Sequence, residues 1–325
     1  MSYTFRAQIA KNRRASAFLC LFMALLLTAV GWAVGYLADP SFGVAGAVLF
    51  AVIGVVLWIY VQTSGHKAVL QISRARRATH EEDQILYNVG HEVAIAAGVP
   101  LPTLYVVEDS SPNAFATGLD PRDGIICVTT GLLEKLDRDE LQGVVAHEMA
   151  HIRNNDIRLM TTLALTVGLI VLVRDLILRG WLRMGGRRGR RGEGNAVLLA
   201  LAVALLVLAP IFAVLLHLAV SRQREFLADA TAVQFTRYPD GLARALEKIA
   251  SDPDELEAAN KATEHMYIVS PFQKLHERSN LFSTHPPIRE RIRRLRAMGI
   301  ERRHESRTVP PIVQEDRSSS IDDTP

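Results

Sequence analysis

Two long uncharged segments near the N-terminus constrain the fold of this chain most strongly. Ala15–Ala38, "ASAFLCLFMALLLTAVGWAVGYLA", carries no charge for 24 residues, and Phe42–Val61 adds another 20. A helix of about 20 apolar residues crosses the hydrocarbon core of a bilayer, so each segment is long enough to span it. We therefore predict a transmembrane hairpin over residues 1–64. A cleaved signal peptide is the alternative for the first segment, but the segment is too long for one and a second span follows at once.

Two later hydrophobic segments are less clear. Leu159–Val173 is uncharged for only 15 residues, whereas Ala196–Val220 runs for 25 with Pro210 and His217 inside it. An Arg-rich loop, "RMGGRRGRRGEG", lies between them. Residues 158–220 therefore form a second hydrophobic hairpin that either spans the bilayer or re-enters it, which predicts two to four transmembrane helices.

The distribution of basic residues predicts the orientation. If all four segments cross the membrane, the N-terminus and the central region lie on the same side. Near the span ends that side carries twelve basic residues, whereas the opposite side carries seven, all of them arginines from Arg174 to Arg191. The positive-inside rule then places the main body in the cytoplasm, so we expect a multi-pass protein of the inner cell membrane. The Arg-rich loop has no interleaved aromatic residue beyond Trp181, so the bilayer is the expected partner and nucleic acid is not.

Between the hydrophobic segments the sequence predicts helices around a small sheet. Residues 67–100 are predicted as a helix with Ile85, Val89, Val93 and Ala97 on one face. Three β-like runs follow at Thr103–Val107, Asn113–Thr117 and Gly124–Thr129. Asp137, with Glu140 three residues later, has the capping-box pattern that begins a new helix.

The rest of the chain completes the predicted domain organisation. Residues 65–157 and 221–300 are the two parts of one domain, separated by the second hydrophobic hairpin. The segment "THPPIRERIRRLRAMG" predicts a helix that ends at Gly299. Residues 301–325 are charged, rich in serine and without apolar periodicity, so we expect a disordered tail.

The segment "VVAHEMAHIRNND" contains the residues that point to chemistry. His147 and His151 are four residues apart, so on a helix their imidazoles lie on one face and can bind one zinc ion. Glu148 stands beside them, where a carboxylate can take a proton from a water molecule on the metal. The spacing therefore predicts a catalytic zinc site with Glu148 as general base.

A catalytic zinc needs a third protein ligand, and "REFLAD" offers one. Glu225 and Asp229 are one helical turn apart directly after the fourth hydrophobic segment. Glu225 would bind the metal, and Asp229 would accept a hydrogen bond from the outer nitrogen of a ligand histidine. The alternative is a solvated helix face whose acids pair with Arg222 and Arg224. A hairpin between His151 and Glu225 favours the metal site, because it returns the third ligand to the first two.

Three stretches in this order resemble the HtpX-type membrane zinc endopeptidases, which are relatives of the CAAX prenyl proteases. They are "NAFATGLDPRDGIICVTTGLLEKLDRDELQGVVAHEMAHIRNNDI", "SRQREFLADA" and "LFSTHPPIRERI", and the likeness extends over roughly residues 1–300. The resemblance implies a mainly α membrane protein, with a gluzincin-like metallopeptidase domain and a small β-sheet. It also implies one zinc ion on His147, His151 and Glu225, with Glu148 as general base.

The same resemblance assigns further residues. It implies that Asn113, Ala114 and Phe115 lie on an edge strand that pairs with the substrate backbone. It also makes His285 and Arg291 parts of one HPxxxxR element; taken alone, His285 would be a cap or turn histidine. His285 is the candidate donor to the oxyanion of the transition state, or alternatively a cap on the zinc.

The expected activity is cleavage of unfolded or misfolded membrane proteins in quality control. One alternative is a processing peptidase with narrow specificity for one partner. Another is a membrane scaffold or transporter in which the zinc is structural; His217 and Pro210 within the fourth hydrophobic segment would then indicate a transport pathway. Against the scaffold, a structural site is closed by four protein ligands, whereas Glu148 is useful only if a water molecule is present.

Overall fold

The computed structural model describes residues 5–166, 168, 222–254, 256, 263–269 and 286–308. Two long helices form its N-terminal part. They are α1 (Phe5–Ala38) and α2 (Gly43–Ile72). Both are long and apolar enough to cross a membrane, with mean hydropathies of 2.1 over Arg14–Trp32 and 2.6 over Pro40–Ile72. The two helices predicted from the N-terminal uncharged segments are thus confirmed. Of the second hydrophobic hairpin, residues 167 and 169–220, with the Arg-rich loop, lie outside the described residues.

Small residues let the two hairpin helices approach closely. A methyl group on Gly31 or Gly46 would overlap the other helix, so glycine is required at this crossing. Further along, Gln62 of α2 donates to Sγ of Cys20 on α1 at 3.7 Å. Arg158 donates to Oε1 of the same glutamine at 2.9 Å. The hairpin is therefore tied to the residues that directly follow the HExxH motif.

The helix predicted over residues 67–100 is wrong in its middle. The chain forms the end of α2, then β1 (Arg76–Arg77), then α3 (Gln84–Ala97). Arg76 donates to both carboxylate oxygens of Asp83, at 2.9 and 3.2 Å, and Asp83 also accepts from the amide of Thr79 at 3.1 Å. These contacts and the left-handed backbone of Arg74, at φ 51°, replace helical hydrogen bonds where the sequence offers little apolar surface to bury.

Three longer strands join β1 in one mixed sheet: β2 (Thr103–Val107), β3 (Ala114–Thr117) and β4 (Ile125–Thr129). The four strands lie in the order β1-β2-β4-β3. They confirm the three predicted β-like runs to within one residue. β2 and β4 are parallel, whereas β3 pairs antiparallel with β4 and places Phe115 opposite Cys127. β3 is therefore the last strand of the sheet on that side.

Helix α5 (Arg138–Arg153) carries the HExxH motif and packs against three other helices: α3, α7 (Arg222–Thr236) and α8 (Pro239–Ser251). The remaining α-helices among the described residues are α4 (Thr130–Lys135), α6 (residues 156–166) and α9 (Ile288–Thr308). Gly143 allows α8 to lie close to α5, because a methyl group there would be 2.6 Å from the amide nitrogen of Leu242. Helices from before and after residues 169–221 thus meet at the HExxH helix.

The apolar core between α3, the sheet, α5 and α8 fixes the position of the HExxH helix. Fully buried members include Leu86, Val89, Leu104, Ile126, Met149 and Leu246. Each such side chain contributes about 1.5–3 kcal/mol relative to exposure. Ile85, predicted on the buried face of α3, is instead 62% exposed, because the buried stripe begins one residue later, at Leu86.

The C-terminal helix is longer than predicted. α9 continues through Gly299 to Thr308, so the first residues of the predicted disordered tail are helical. Gly299 faces the side chains of Pro239 and Asp240 at the start of α8, and a methyl group on it would lie 3.4 Å from the proline ring. The glycine therefore marks a close approach of two helices and does not end α9.

Candidate metal centre

Helix α5 presents two histidines to the interior. The predicted capping box is confirmed, since Asp137 accepts from the amide of Glu140 and Glu140 accepts from the amide of Asp137, both at 2.9 Å. His147 and His151 follow on one face of the helix, and their Nε2 atoms are 3.2 Å apart. Both imidazoles are buried, so the helix directs two nitrogen donors to one point inside the protein.

Helix α7 brings a carboxylate to the same point. Oε2 of Glu225 lies 3.7 Å from Nε2 of His147, and Oε1 lies 3.6 Å from Nε2 of His151. Glu225 is 1% exposed and Asp229 is 3% exposed. The alternative of a solvated helix face is therefore wrong, because both acids point into the interior.

The three side chains fit a metal ion of the kind that prefers nitrogen and carboxylate donors. One donor atom from each of His147, His151 and Glu225 lies within 4.8 Å of the others. Ligands at tetrahedral corners, with bonds of about 2.0–2.1 Å, are separated by roughly 3.3 Å, close to the distances between these donor atoms. Two imidazoles and one carboxylate are also the ligand set of a catalytic site whose fourth position is taken by water or substrate.

Asp229 and Arg291 hold the first histidine in place. Oδ1 of Asp229 lies 3.0 Å from Nδ1 of His147, and Arg291 donates to both oxygens of Asp229 at 2.7 and 2.9 Å. Because the aspartate accepts the Nδ1 proton, Nε2 is the nitrogen that remains for a metal ion. Burial and the charge of Arg291 lower the pKa of His147, but hydrogen bonds to Asp229 and Glu225 outweigh them and raise it to about 9. A proton and a metal ion therefore compete for Nε2.

A residue that the sequence did not reveal holds the second histidine. Oδ2 of Asp156 lies 3.1 Å from Nδ1 of His151, and its Oδ1 lies 3.2 Å from Nε of Arg224 on α7. In an unbroken helix, residues five apart point about 140° away from each other. Here α5 ends at Arg153 and Asn155 adopts a left-handed φ of 57°, which turns Asp156 back beneath the histidine. Both histidines are thus oriented by buried carboxylates.

Loss of Asp156 is expected to weaken metal binding without removing a ligand. Asp156→Ala should lower zinc affinity by about 10–100-fold, the usual effect of deleting a carboxylate behind a ligand histidine. Asp156→Asn should lose less, because the amide oxygen still accepts from Nδ1. Competition with a chromophoric chelator on the detergent-purified protein measures the affinity. Asn155→Gly is the matched control, since glycine adopts the same φ without strain. Equal affinities in wild type and Asp156→Ala would rule out this positioning role.

Glu148 is a buried group at the centre whose carboxylate has no hydrogen-bond partner in the described part of the chain. It is 1% exposed, and neither carboxylate oxygen has a hydrogen-bond partner among the described residues. Burial is the largest effect on this carboxyl group and raises its pKa. A buried carboxylate without a partner is costly unless water or a ligand satisfies it. Glu148 is therefore placed to bind a water molecule beside the three donor atoms.

Three further predicted site residues lie on β3 or directly before it. Asn113 precedes the strand, and Ala114 and Phe115 lie within it; all three are buried. The outer edge of β3 is paired with the protein's own chain, since the amide of Ile268 donates to the carbonyl of Ala114 at 2.9 Å. His285, the predicted oxyanion donor or zinc cap, lies outside the described residues.

A buried triad of two histidines and a glutamate, with HExxH on α5 and ExxxD on α7, is the site of a metallopeptidase. The profile of Peptidase family M48 matches residues 80–299. A Protease HtpX homolog from Caldanaerobacter subterraneus subsp. tengcongensis is 45% identical over 90% of this chain and 97% of its own. Another, from Listeria monocytogenes serotype 4a, is 40% identical over 90% and 99%. The crystal structure of S. mikatae Ste24p is similar at 19% identity and a TM-score of 0.47, covering 88% of this chain and 67% of that one.

The chain belongs to peptidase family M48 and is an HtpX-type metalloprotease. Its two long apolar helices agree with a membrane-associated enzyme. The mainly helical fold with a small mixed sheet, predicted from the sequence, is confirmed.

Proposed function

We propose that this metalloendopeptidase binds one zinc ion through His147, His151 and Glu225 and cuts unfolded or misfolded membrane proteins in protein quality control. The burial of Glu148 beside the three donor residues is the observation that supports catalysis most strongly. Its carboxylate is buried beside the ligand cluster, with no hydrogen-bond partner among the described residues. A water molecule bound there would satisfy the carboxylate and lie next to the metal-binding atoms.

The side chains of the site divide the chemistry between them. Zinc, when bound, supplies a Lewis acid that activates water and polarises the substrate's peptide carbonyl. Glu148 accepts the proton of the attacking water and returns it to the leaving amine. Asp229 and Asp156 keep the Nδ1 protons of the two histidines, so both Nε2 atoms stay free for the metal. His285 remains our candidate donor to the developing oxyanion.

Asn113, Ala114 and Phe115 form our proposed substrate-binding edge. A peptide that adds to the edge of a sheet is held by main-chain hydrogen bonds, which give affinity with little demand on its sequence. Such pairing requires an extended chain. An unfolded protein offers extended segments, whereas a folded one does not, and this supports the quality-control role.

The position of the site relative to the hairpin supports membrane proteins as substrates. α6 begins three residues after α5 ends, and its Arg158 donates to Gln62 of the apolar helix α2 at 2.9 Å. Gly65 of α2 lies against Thr161 of α6. The HExxH helix is therefore connected through α6 to α2, a helix that is apolar enough to cross the membrane. Loops of damaged membrane proteins would reach the site without leaving the bilayer surface.

The proposed substrate class is tested with pairs of folded and unfolded proteins. The enzyme is purified in detergent with a chelator, zinc is restored, and cleavage of several unrelated proteins is followed in both states. Quality control requires many cuts in the unfolded forms and almost none in the folded ones. A single cut in one protein would instead support the narrow processing peptidase.

We propose further that the protein is a multi-pass inner-membrane protein whose catalytic domain faces the cytoplasm. Ser41 lies exposed between α1 and α2, and Glu108 is exposed in the soluble part. In cells, Ser41→Cys should react with a membrane-impermeant maleimide from outside, and Glu108→Cys should react only after the membrane is opened. The opposite pattern would place the catalytic domain outside.

A further inference from the structure

The edge strand β3 is already paired with a segment from the same chain. Phe115 and Tyr267 form an isolated antiparallel bridge, and the amide of Ile268 donates to the carbonyl of Ala114 at 2.9 Å. The rings of Phe115 and Tyr267 also meet edge to face, with centroids 5.1 Å apart. Residues 267–269, which we call the covering segment, therefore lie along the outer side of β3 and pair with it through one bridge.

Two side chains hold the covering segment by its main chain. Nδ2 of Asn113 donates to the carbonyl of Val269 at 2.9 Å, and Nη1 of Arg291 donates to the carbonyl of Ile268 at 2.7 Å. With the bond to Ala114, all three of these hydrogen bonds involve only main-chain atoms of the covering segment. An extended peptide of almost any sequence presents the same atoms in the same order.

The covering segment lies next to the metal centre. Nη1 of Arg291, which binds Ile268, is also 3.5 Å from Oε2 of Glu225. The same guanidinium binds both oxygens of Asp229, which orients His147. All three residues of the segment are at most 4% exposed. Nη1 of Arg291 thus lies between a peptide bond at this position and the carboxylate of Glu225.

From these contacts we propose that Asn113, Ala114 and Arg291 form the site that binds the backbone of a substrate peptide, and that the covering segment occupies this site in the resting enzyme. Arg291 is then a substrate-binding residue as well as the partner of Asp229. A substrate strand must displace residues 267–269 before it can pair with β3. This inference rests on the peptidase function proposed above and adds an intramolecular inhibitor to it.

The proposal predicts that locking the covering segment blocks the site. Because the hydrogen bond joins the flanking residues Ala114 and Ile268, Phe115 and Tyr267 are a non-hydrogen-bonded pair, with Cα atoms about 4.5 Å apart. Such a pair can be bridged by a disulfide. The variant Phe115→Cys/Tyr267→Cys is made with Cys20→Ala and Cys127→Ala, because Cys127 lies opposite Phe115 on β4. Its oxidised and reduced forms are then compared as the same protein.

Two readouts separate this proposal from the peptidase function. The first is binding of a fluorescent, chemically unfolded protein to the zinc-loaded variant, and the second is its cleavage. We expect the oxidised form to bind at least about tenfold more weakly than the form reduced with a phosphine, and to cleave correspondingly more slowly, with equal zinc content. Equal binding in the two forms overturns the proposal. Redox-dependent binding without any cleavage supports the covering segment while contradicting the peptidase function.

A matched disulfide at the opposite edge of the sheet, between β1 and β2, controls for nonspecific effects. Arg77 pairs with Tyr105 across β1 and β2, and the amide of Ala78 beside them bonds to Leu104, so this is the same kind of non-hydrogen-bonded pair. Oxidising Arg77→Cys/Tyr105→Cys, in the same background, should leave both binding and cleavage unchanged. An equal loss in this control would attribute the effect of the first disulfide to general stiffening of the sheet and overturn the proposal.

Discussion

Glu148→Gln is expected to abolish cleavage while leaving the metal bound. Glutamine keeps the size of the side chain but cannot accept the proton of the attacking water, so kcat should fall by about 10²–10⁴-fold. Glu148 is not among the three clustered donor residues, so zinc content should stay at the wild-type level. Cleavage of an unfolded protein and metal analysis on the same preparation provide the two measurements.

The sequence contains its own control for this substitution. His91 and Glu92 imitate the start of the HExxH motif, but Glu92 is exposed and pairs with Arg138 on the surface. Glu92→Gln should therefore cleave like wild type. If Glu148→Gln cleaves as fast as wild type, Glu148 is not the general base. A zinc-loaded wild type that cuts nothing would favour the scaffold with structural zinc.

Glu225→Ala is expected to lose the metal itself. Removing the carboxylate leaves two histidines, and the effect should exceed the 10–100-fold loss of affinity that is usual for deleting an outer hydrogen-bond partner. Buried Arg291 would also lose a nearby charge, at 3.5 Å, although Asp229 still pairs with it. Zinc affinity by chelator competition and the melting temperature of the metal-free protein separate metal loss from unfolding.

The neighbouring Gln223 offers a control on the same helix. It is exposed on α7, so Gln223→Ala should bind zinc like wild type. Unchanged zinc affinity in Glu225→Ala would remove Glu225 from the ligand set and reopen the question of the third donor. The same result would also show that the contribution of α7 is to pack against α5 and not to supply a ligand.

Local patterns predicted much of this fold, because they depend on neighbouring residues. The capping box at Asp137 and Glu140 fixes the start of α5 through two hydrogen bonds within four residues. Alternating apolar residues and turn residues likewise marked β2, β3 and β4 to within one residue. The i, i+4 spacing brought His147 and His151 to one face, and the spacing of Glu225 and Asp229 did the same on α7.

Contacts that depend on a break in a helix or on residues distant in the chain were not readable in the same way. Asp156 reaches His151 only because Asn155 takes a left-handed turn, and the adjacent asparagines in "HIRNND" were the available signal. The break after α2 depends on Arg76 pairing with Asp83 and β1 pairing with β2. The pairing of Tyr267 with Phe115 joins residues far apart in the chain, and the run "YIV", although made of strand-forming residues, is too short to reveal its partner.

The central claim is that one metal ion per chain, held by His147, His151 and Glu225, makes this protein a peptidase. The most direct test is to titrate chelated protein with Zn²⁺ and measure cleavage of an unfolded protein at each step. The account predicts that cleavage rises in proportion to bound zinc and reaches its maximum at one ion per chain. Full cleavage by the metal-free protein, or one bound zinc ion with no cleavage, would contradict it.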